Sequence, residues 1–188
     1  MKQKVWQENE IRLKELILYI SERCAGHLKF GATKLNKILY FSDFLAYAHT
    51  GEPITGVEYM KLPNGPAPKK LVPIREQMRA AGELGIQEVW LRSGKIQKRT
   101  VNLRRPNLSV FTAEQISIVD TVIEALSSAN SDEVSDLSHK MVGWKVADAK
   151  EVIPYETIFL STDPPSLADI QRGLEVAKEY GLLTPVLS

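Results

Sequence analysis

The chain has 188 residues, of which 25% are charged and 44% hydrophobic, and its 24 basic and 23 acidic residues leave a net charge of +1. This composition is typical of a globular domain and argues against a surface that is basic all over, as nucleic-acid-binding domains often are. The sequence holds no apolar run of about 18 residues, so we expect no membrane span, and residues 1–10 do not look like a signal peptide. The single cysteine, Cys24, excludes an internal disulfide and predicts a cytoplasmic protein.

The hydrophobic pattern predicts a compact, mainly α-helical domain with about six helices and a minor β-hairpin. The first helix covers residues 8–25, and Gly26 is expected to cap its C-terminus. The second helix covers residues 33–49 and stops at Gly51. Because it is apolar around most of its circumference, we expect it to lie at the centre of the domain with neighbours on several sides.

Extended structure is predicted in the middle of the chain. Residues 54–62 alternate loosely between apolar and polar side chains and lie between two prolines, which indicates a short strand or an extended segment. A third helix is predicted after the proline-rich turn at 63–68. Residues 86–102 predict a β-hairpin whose turn contains Ser93 and Gly94.

Three further helices begin at N-terminal capping signals. Thr112 opens a capping box, Ser131 is predicted to cap a shorter helix, and Ser166 opens the last helix. The apolar residues of that last helix are expected to face inward: Leu167, Ile170, Leu174 and Ala177. We predict that residues 1–160 form one domain and that residues 161–188 add a helix and tail packed on it.

Residues that could support metal binding or catalysis are scattered. Cys24 and His27 form the only Cys/His pair, while His49 and His139 lie far from it in the sequence, so a closed four-ligand zinc site is not expected. Ser138 and His139 are adjacent and therefore point to different faces of a helix, which disfavours a nucleophile–base pair. No glycine-rich phosphate loop is present. We expect neither an enzyme nor a cofactor.

Asp43 stands out because its own helix offers it no basic partner. The residues three and four positions away are Leu39, Tyr40, Ala46 and Tyr47. Burying a carboxylate without a partner is costly. Asp43 should therefore find a hydroxyl, backbone N–H groups or an arginine elsewhere in the fold, either as an internal anchor or at a partner-binding surface.

Charge is segregated between two consecutive segments. Residues 89–113 contain no acidic residue but six basic ones: Arg92, Lys95, Lys98, Arg99, Arg104 and Arg105. Residues 114–139 contain no Lys or Arg but six acidic ones: Glu114, Asp120, Glu124, Asp132, Glu133 and Asp136. Both segments are candidate partner-binding surfaces, since complementary charge steers protein association and basic residues attract phosphates. They could also be solvated faces, or pair with each other across the fold.

Several short motifs between Phe30 and Trp144 occur in a characteristic order. They are carried by Lys34, Leu35, Lys37, Leu39, Tyr40, Phe41 and Asp43; by Gly51, Pro53, Ile54 and Gly56; by Gly65, Pro66 and Pro68; and by Ser138, His139 and Trp144. In this order and spacing, which extend over about residues 11–159, the sequence resembles the Panacea antitoxin domain, also called the SocA-like or GepA-like phage-associated domain.

The resemblance implies a bacterial or phage-associated antitoxin that neutralises a cognate protein toxin, made from an adjacent gene, by direct contact. Related members act as adaptors that deliver a toxin to a cytoplasmic protease, so such a protease is a second possible partner. Some members carry a DNA-binding domain, but no helix-turn-helix signal is present here. A nucleic-acid-binding regulator that uses the basic hairpin 92–105 remains the alternative from another class.

The resemblance also implies roles for the motif residues. Leu35 and Leu39 would pack the central helix, Gly51 and Pro53 would shape the turn that leaves it, and Gly65 and Pro66 would set the entry to the third helix. The remaining motif residues could converge on one internal network or on one partner-binding surface: Lys34, Tyr40, Asp43, His139 and Trp144.

Overall fold

The computed structural model describes residues 9–91 and 94–181, and within them the chain forms seven α-helices, five β-strands and two 3₁₀ turns. The helices are α1 (Glu10–Arg23), α2 (Ala32–Thr50), α3 (Leu71–Ala80), α4 (Ala113–Ala125), α5 (Ser131–His139), α6 (Val142–Val146) and α7 (Leu167–Glu179). The strands are β1 (Tyr59–Met60), β2 (Ala67–Pro68), β3 (Leu84–Trp90), β4 (Ile96–Asn102) and β5 (Val152–Ile153), and the 3₁₀ turns span Leu108–Val110 and Tyr155–Phe159. The predicted class, mainly α with a minor β component, is confirmed.

Helix α2 is the centre of the core, as its all-round apolar sequence predicts. It packs against α1, α4, α5, β2 and β4. Leu35 and Leu39 share one face of α2 and Phe44 lies on the opposite face, yet all three are fully buried. The helix ends at Gly51, whose φ of +79° is the left-handed conformation that glycine adopts readily at a helix C-terminus.

The predicted hairpin is present. Strands β3 and β4 pair antiparallel from Leu84 opposite Asn102 to Trp90 opposite Ile96. Ser93, one of the two predicted turn residues, lies outside the described residues. A second, three-stranded sheet places β1 between β2 and β5.

Much of the predicted strand 54–62 is irregular, and only Tyr59–Met60 pairs as a strand. The reason is local: Thr55 is bonded to Asp43 on α2, and Gly56 has a φ of +68°, which extended strands do not adopt. Residues 53–57 are therefore buried without pairing in a sheet, and pairing begins only at Tyr59.

Two predicted helix caps are wrong by one or two residues. Helix α1 ends at Arg23 with Cys24 as its C-terminal cap, so Gly26 does not cap it. Helix α5 is capped by Asn130 rather than Ser131, because the Asn130 side chain accepts hydrogen bonds from the N–H groups of Asp132 and Glu133 at 2.9 and 3.0 Å. The capping boxes that begin at Thr112 and Ser166 are confirmed.

The C-terminal third differs most from the prediction. Helix α6 is the helix that the sequence did not predict, because its five residues are too few for a hydrophobic pattern to reveal. In α7 three of the four predicted inward-facing residues are exposed instead: Leu167, Ile170 and Leu174 are 86%, 46% and 54% exposed, while Ala177 is half-buried. An amphipathic pattern shows that a helix has an apolar face but not that anything covers it. In the part of the chain that the structure describes, every helix is too short or too polar to span a bilayer.

Candidate functional site

The Asp43 carboxylate, fully buried on α2, anchors the segment that follows the helix. Its Oδ1 accepts a hydrogen bond from the Thr55 N–H at 2.7 Å, and its Oδ2 accepts hydrogen bonds from the Thr55 hydroxyl and, at 2.7 Å, from the Tyr59 hydroxyl. Burial raises the pKa of the Asp43 carboxyl, while the hydrogen bonds from Thr55 and Tyr59 oppose that shift. Of the partners expected for Asp43, the structure shows hydroxyl and backbone N–H groups. The network lies inside the protein and not at its surface.

An aromatic cluster encloses this network. The rings of Tyr40 and Phe44 lie 4.2 Å apart, and Tyr59 contacts both with centroid distances of 5.6 and 5.7 Å. Tyr155 extends the cluster from the second 3₁₀ turn, and its hydroxyl donates to the Val57 carbonyl at 2.7 Å. Tyr40, a motif residue, is fully buried, so it belongs to the interior and not to a surface.

Lys37 brings a second group of motif residues together. Its side chain is 1% exposed, and its Nζ donates to the Pro66 carbonyl at 3.1 Å. Burial lowers the pKa of Lys37 to about 7. A Cβ atom at Gly65 would lie 2.6 Å from Lys37 Nζ and 2.2 Å from Ser138 Oγ, which explains why this position holds glycine, with a φ of +92°. The sequence places Lys37 in the motif, but a lysine in an apolar run gives no sign of its partner.

His139 and Trp144 form a separate, half-buried group. Their rings stack with centroids 3.9 Å apart and an interplanar angle of 21°. The Trp144 indole N–H donates to the Leu62 carbonyl at 3.1 Å, and Lys61 Nζ lies 4.6 Å from the indole centroid. Nε2 of His139 is buried without a hydrogen-bond partner among the described residues. Sequence reasoning missed Lys61, which follows β1 and has no periodic signal.

Two members of the basic segment hold the fold together. Arg104 binds Glu15 through two hydrogen bonds of 2.7 and 2.8 Å and also contacts Glu83 at 2.9 Å. The Arg104 hydrogen bonds lower the pKa of Glu15. Arg99 donates to the carbonyls of Ala25 and His27 at 3.2 and 2.6 Å. These contacts tie the hairpin to α1 and to the loop that follows it, so Arg99 and Arg104 are structural residues.

Of the other basic candidates, three are exposed on the surface and one lies outside the described residues. Lys95, Lys98 and Arg105 are exposed, and Lys98 lies 3.6 Å from Glu88 on the facing strand. Arg92 is outside the described residues. The exposed part of the basic segment is therefore the hairpin end around Lys95 and Lys98, together with Arg105.

The acidic candidates are exposed and take partners outside the basic segment. Glu114 lies 3.4 Å from His49, and Asp120, which the sequence also places in this segment, pairs with Arg23 at 3.1 Å. Glu133 accepts a hydrogen bond from the Asn130 N–H at 2.6 Å. The remaining three are all exposed: Glu124 on α4, and Asp132 and Asp136 on α5.

A cleft of about 400 Å³ lies between the loop before α2 and strand β4. Lys29 and Lys34 line one side, and Lys95 and Lys98 line the other. Lys34 is 1% exposed and donates to the Ser127 carbonyl at 3.1 Å. Sequence reasoning found the hairpin lysines but not Lys29, because only the fold brings it to the same cleft.

A metal site has no support in residues 9–91 and 94–181, which hold no group of three or more His, Cys, Asp or Glu side chains that could bind a metal ion. Cys24 is buried, and burial raises the pKa of its thiol to about 11. A thiol with that pKa is largely protonated at neutral pH and is a poor metal ligand or nucleophile.

The chain was compared with models of known protein families, and the match covers the buried motif residues. A family model described as antitoxin SocA-like, Panacea domain, matches residues 35–145, which is more than half of the chain. The chain belongs to this family, and the resemblance noted from the motifs is confirmed. Searches of curated proteins and of solved structures find no match. The matched segment runs from Leu35 on α2 to Lys145 on α6 and includes the Asp43 and Lys37 networks.

Proposed function

We propose that this protein is an antitoxin that neutralises a toxin by binding it directly. The observation that carries the proposal is the family match over residues 35–145, whose model is described as antitoxin SocA-like. The partner we propose is a protein toxin made from an adjacent gene, in a bacterial or phage-associated system in the cytoplasm.

We further propose that the protein acts by binding alone and without catalysis. Ser138 and Lys37, whose side chains both lie next to Gly65, are a hydroxyl and an amine that could in principle serve as nucleophile and base. Both are buried, and the Ser138 hydroxyl donates to the Ser135 carbonyl at 2.7 Å. A substrate in solvent would not reach them, whereas the exposed charges of the hairpin and α5 are accessible to a protein partner.

Co-expression with the product of the adjacent gene tests the proposal. We expect that product alone to arrest growth, and this chain to restore growth and to co-purify with it. The matched control is the same transcript with a stop codon at position 35, which keeps the RNA but removes the protein. Persistent growth arrest without a co-purified complex would contradict the proposal.

The fate of the toxin separates two modes of neutralisation. If the antitoxin sequesters the toxin, the amount of toxin should be unchanged or higher in the presence of this chain. If the protein is instead an adaptor for a protease, the half-life of the toxin should fall, and it should recover in a strain that lacks the protease.

A further inference from the structure

The cleft beside the hairpin is lined by basic residues on both sides. Lys29 comes from the loop after α1, Lys34 from the first turn of α2, and Lys95 and Lys98 from the hairpin. The described residues that line the cleft include no Asp or Glu. Four lysines therefore share a concavity of about 400 Å³ whose described lining contains no carboxylate, and Lys98 alone has an ion-pair partner among the described residues, Glu88 at 3.6 Å outside the lining.

Lys34 gives the cleft a buried donor. Its ammonium has three N–H donors and gives one to the Ser127 carbonyl. Burial lowers the pKa of Lys34, which means that the fold does not fully compensate its charge. A carboxylate that entered the cleft would stabilise this ammonium, because opposite charges attract more strongly away from water.

The cleft also exposes apolar side chains, which narrows the class of partner. Leu28 is 83% exposed, and Leu91 and Ile96 are 38% and 43% exposed. Single-stranded nucleic acid binds through phosphates and through stacking on aromatic rings, and the described lining contains no aromatic residue. Mixed basic and apolar walls match a protein segment that carries both acidic and apolar side chains.

The walls of the cleft are held in place before any partner binds. Arg99 fixes strand β4 to the His27 carbonyl at 2.6 Å. At Gly31 the backbone comes so close to β4 that an added Cβ would lie 2.9 Å from Gln97 Cγ. A preformed site binds more tightly because less conformational freedom is lost on binding.

We infer that this cleft is the docking site for an acidic segment, with apolar side chains, of the toxin. The inference rests on the proposed antitoxin function and adds to it the binding surface and the chemistry of the partner. The matched family segment starts at Leu35, so half of the lysines and the exposed Leu28 come from residues that precede it.

A charge-reversal pair tests the inference. The cleft variant is K29E/K95E, which changes two exposed lysines on opposite walls. The control is K140E/K145E, which makes the same change of net charge at exposed positions beyond the other end of α5. Isothermal titration of the purified toxin should give a Kd at least about 10-fold weaker for the cleft variant and within about 2-fold of wild type for the control.

Growth assays separate this inference from the proposed function. If wild type neutralises the toxin and K29E/K95E does not, while both remain folded by circular dichroism, the docking site is supported. If K29E/K95E neutralises and binds as wild type does, the docking site is wrong although the antitoxin function stands. If wild type itself does not neutralise, both proposals fail.

Nucleic acid is tested with the same proteins. A fluorescein-labelled 20-nucleotide DNA, single-stranded or duplex, should bind wild type at least about 100-fold more weakly than the toxin does. Comparable affinity for DNA, lost in K29E/K95E and retained in the control, would assign the cleft to nucleic acid and overturn the inference.

Discussion

The Tyr59 hydroxyl donates to Asp43 Oδ2 at 2.7 Å, and this bond joins the middle of α2 to strand β1 within the core. The Thr55 N–H and hydroxyl donate to the same carboxylate. One buried side chain therefore sets the path of the chain after α2, since Thr55 and Tyr59 fold back over the helix to reach it.

Replacing Asp43 by Ala should lower the free energy of unfolding by about 3–5 kcal/mol, because three buried donors lose their acceptor. Replacing Tyr59 by Phe removes one donor and should cost about 1–2 kcal/mol. Urea denaturation followed by tryptophan fluorescence measures both values. A cost below about 1 kcal/mol for Asp43→Ala would show that the network does not anchor the segment.

Lys37 should make stability depend on pH in the alkaline range. Its pKa is about 7 when folded against an ordinary 10.5, so the cost of burying its charge is complete at and below pH 7. The cost fades as pH rises toward 10.5, where the side chain is neutral in both states. Between about pH 7 and pH 10, wild type should therefore gain about 2–4 kcal/mol relative to Lys37→Met.

The pH test depends on a difference between two proteins. Other alkaline titrations, such as that of Lys34, are common to wild type and Lys37→Met and cancel. The unpaired Pro66 carbonyl that Lys37→Met leaves behind is a constant offset. Parallel stability curves over this pH range would rule out a lowered pKa for Lys37.

Gly65 should tolerate no side chain. Gly65→Ala adds a Cβ that meets Ser138 and Lys37 within 2.7 Å, at a φ of +92°, so we expect a loss of at least about 3 kcal/mol. Gly82→Ala is the matched control, because Gly82 has a φ of +70° with open space around it and should cost only about 1 kcal/mol. Thermal unfolding compares the two, and equal losses would mean that packing at Gly65 is not tight.

Arg104 and Arg105 are neighbours with opposite roles. Arg104→Ala leaves the buried Glu15 carboxylate without its cation and should cost about 2–3 kcal/mol. Arg105→Ala changes an exposed side chain and should stay within about 0.5 kcal/mol of wild type. The measurement is the denaturation midpoint of each variant. A similar loss of stability for both variants would contradict a structural role specific to Arg104.

Helix α7 should contribute little to the stability of the core. Ile170→Ser and Leu174→Ser change exposed side chains, so we expect each to alter the free energy of unfolding by less than about 0.5 kcal/mol. Leu39→Ala on α2 is the contrasting control, with an expected loss of about 2–5 kcal/mol. Large losses for the α7 variants would instead support the prediction that residues 161–188 pack on the domain.

Burial could be predicted from the sequence where it follows from the pattern of apolar and polar residues along one helix. The apolar circumference of α2 identified it as central. The absence of a basic neighbour for Asp43 predicted a partner elsewhere in the fold but left open whether that partner is a hydroxyl, a backbone group or an arginine. The ion pair of Arg104 with Glu15 was not predicted, because the two residues are 89 positions apart in the sequence, a distance that no periodicity spans. The cleft could not be predicted for the same reason. Lys29 and Lys95 are far apart in the sequence and come to the same cleft only in the folded chain.

The interior position of Asp43, Tyr40 and Gly65 has a consequence for how relatives of this protein should be compared. These motif residues identify the family, yet no partner can touch them in the folded chain. Two family members can therefore share these three residues and still present unrelated surfaces. A change of specificity can be made on the outer side chains alone, which makes the domain a scaffold on which new partners can be selected without redesigning the core.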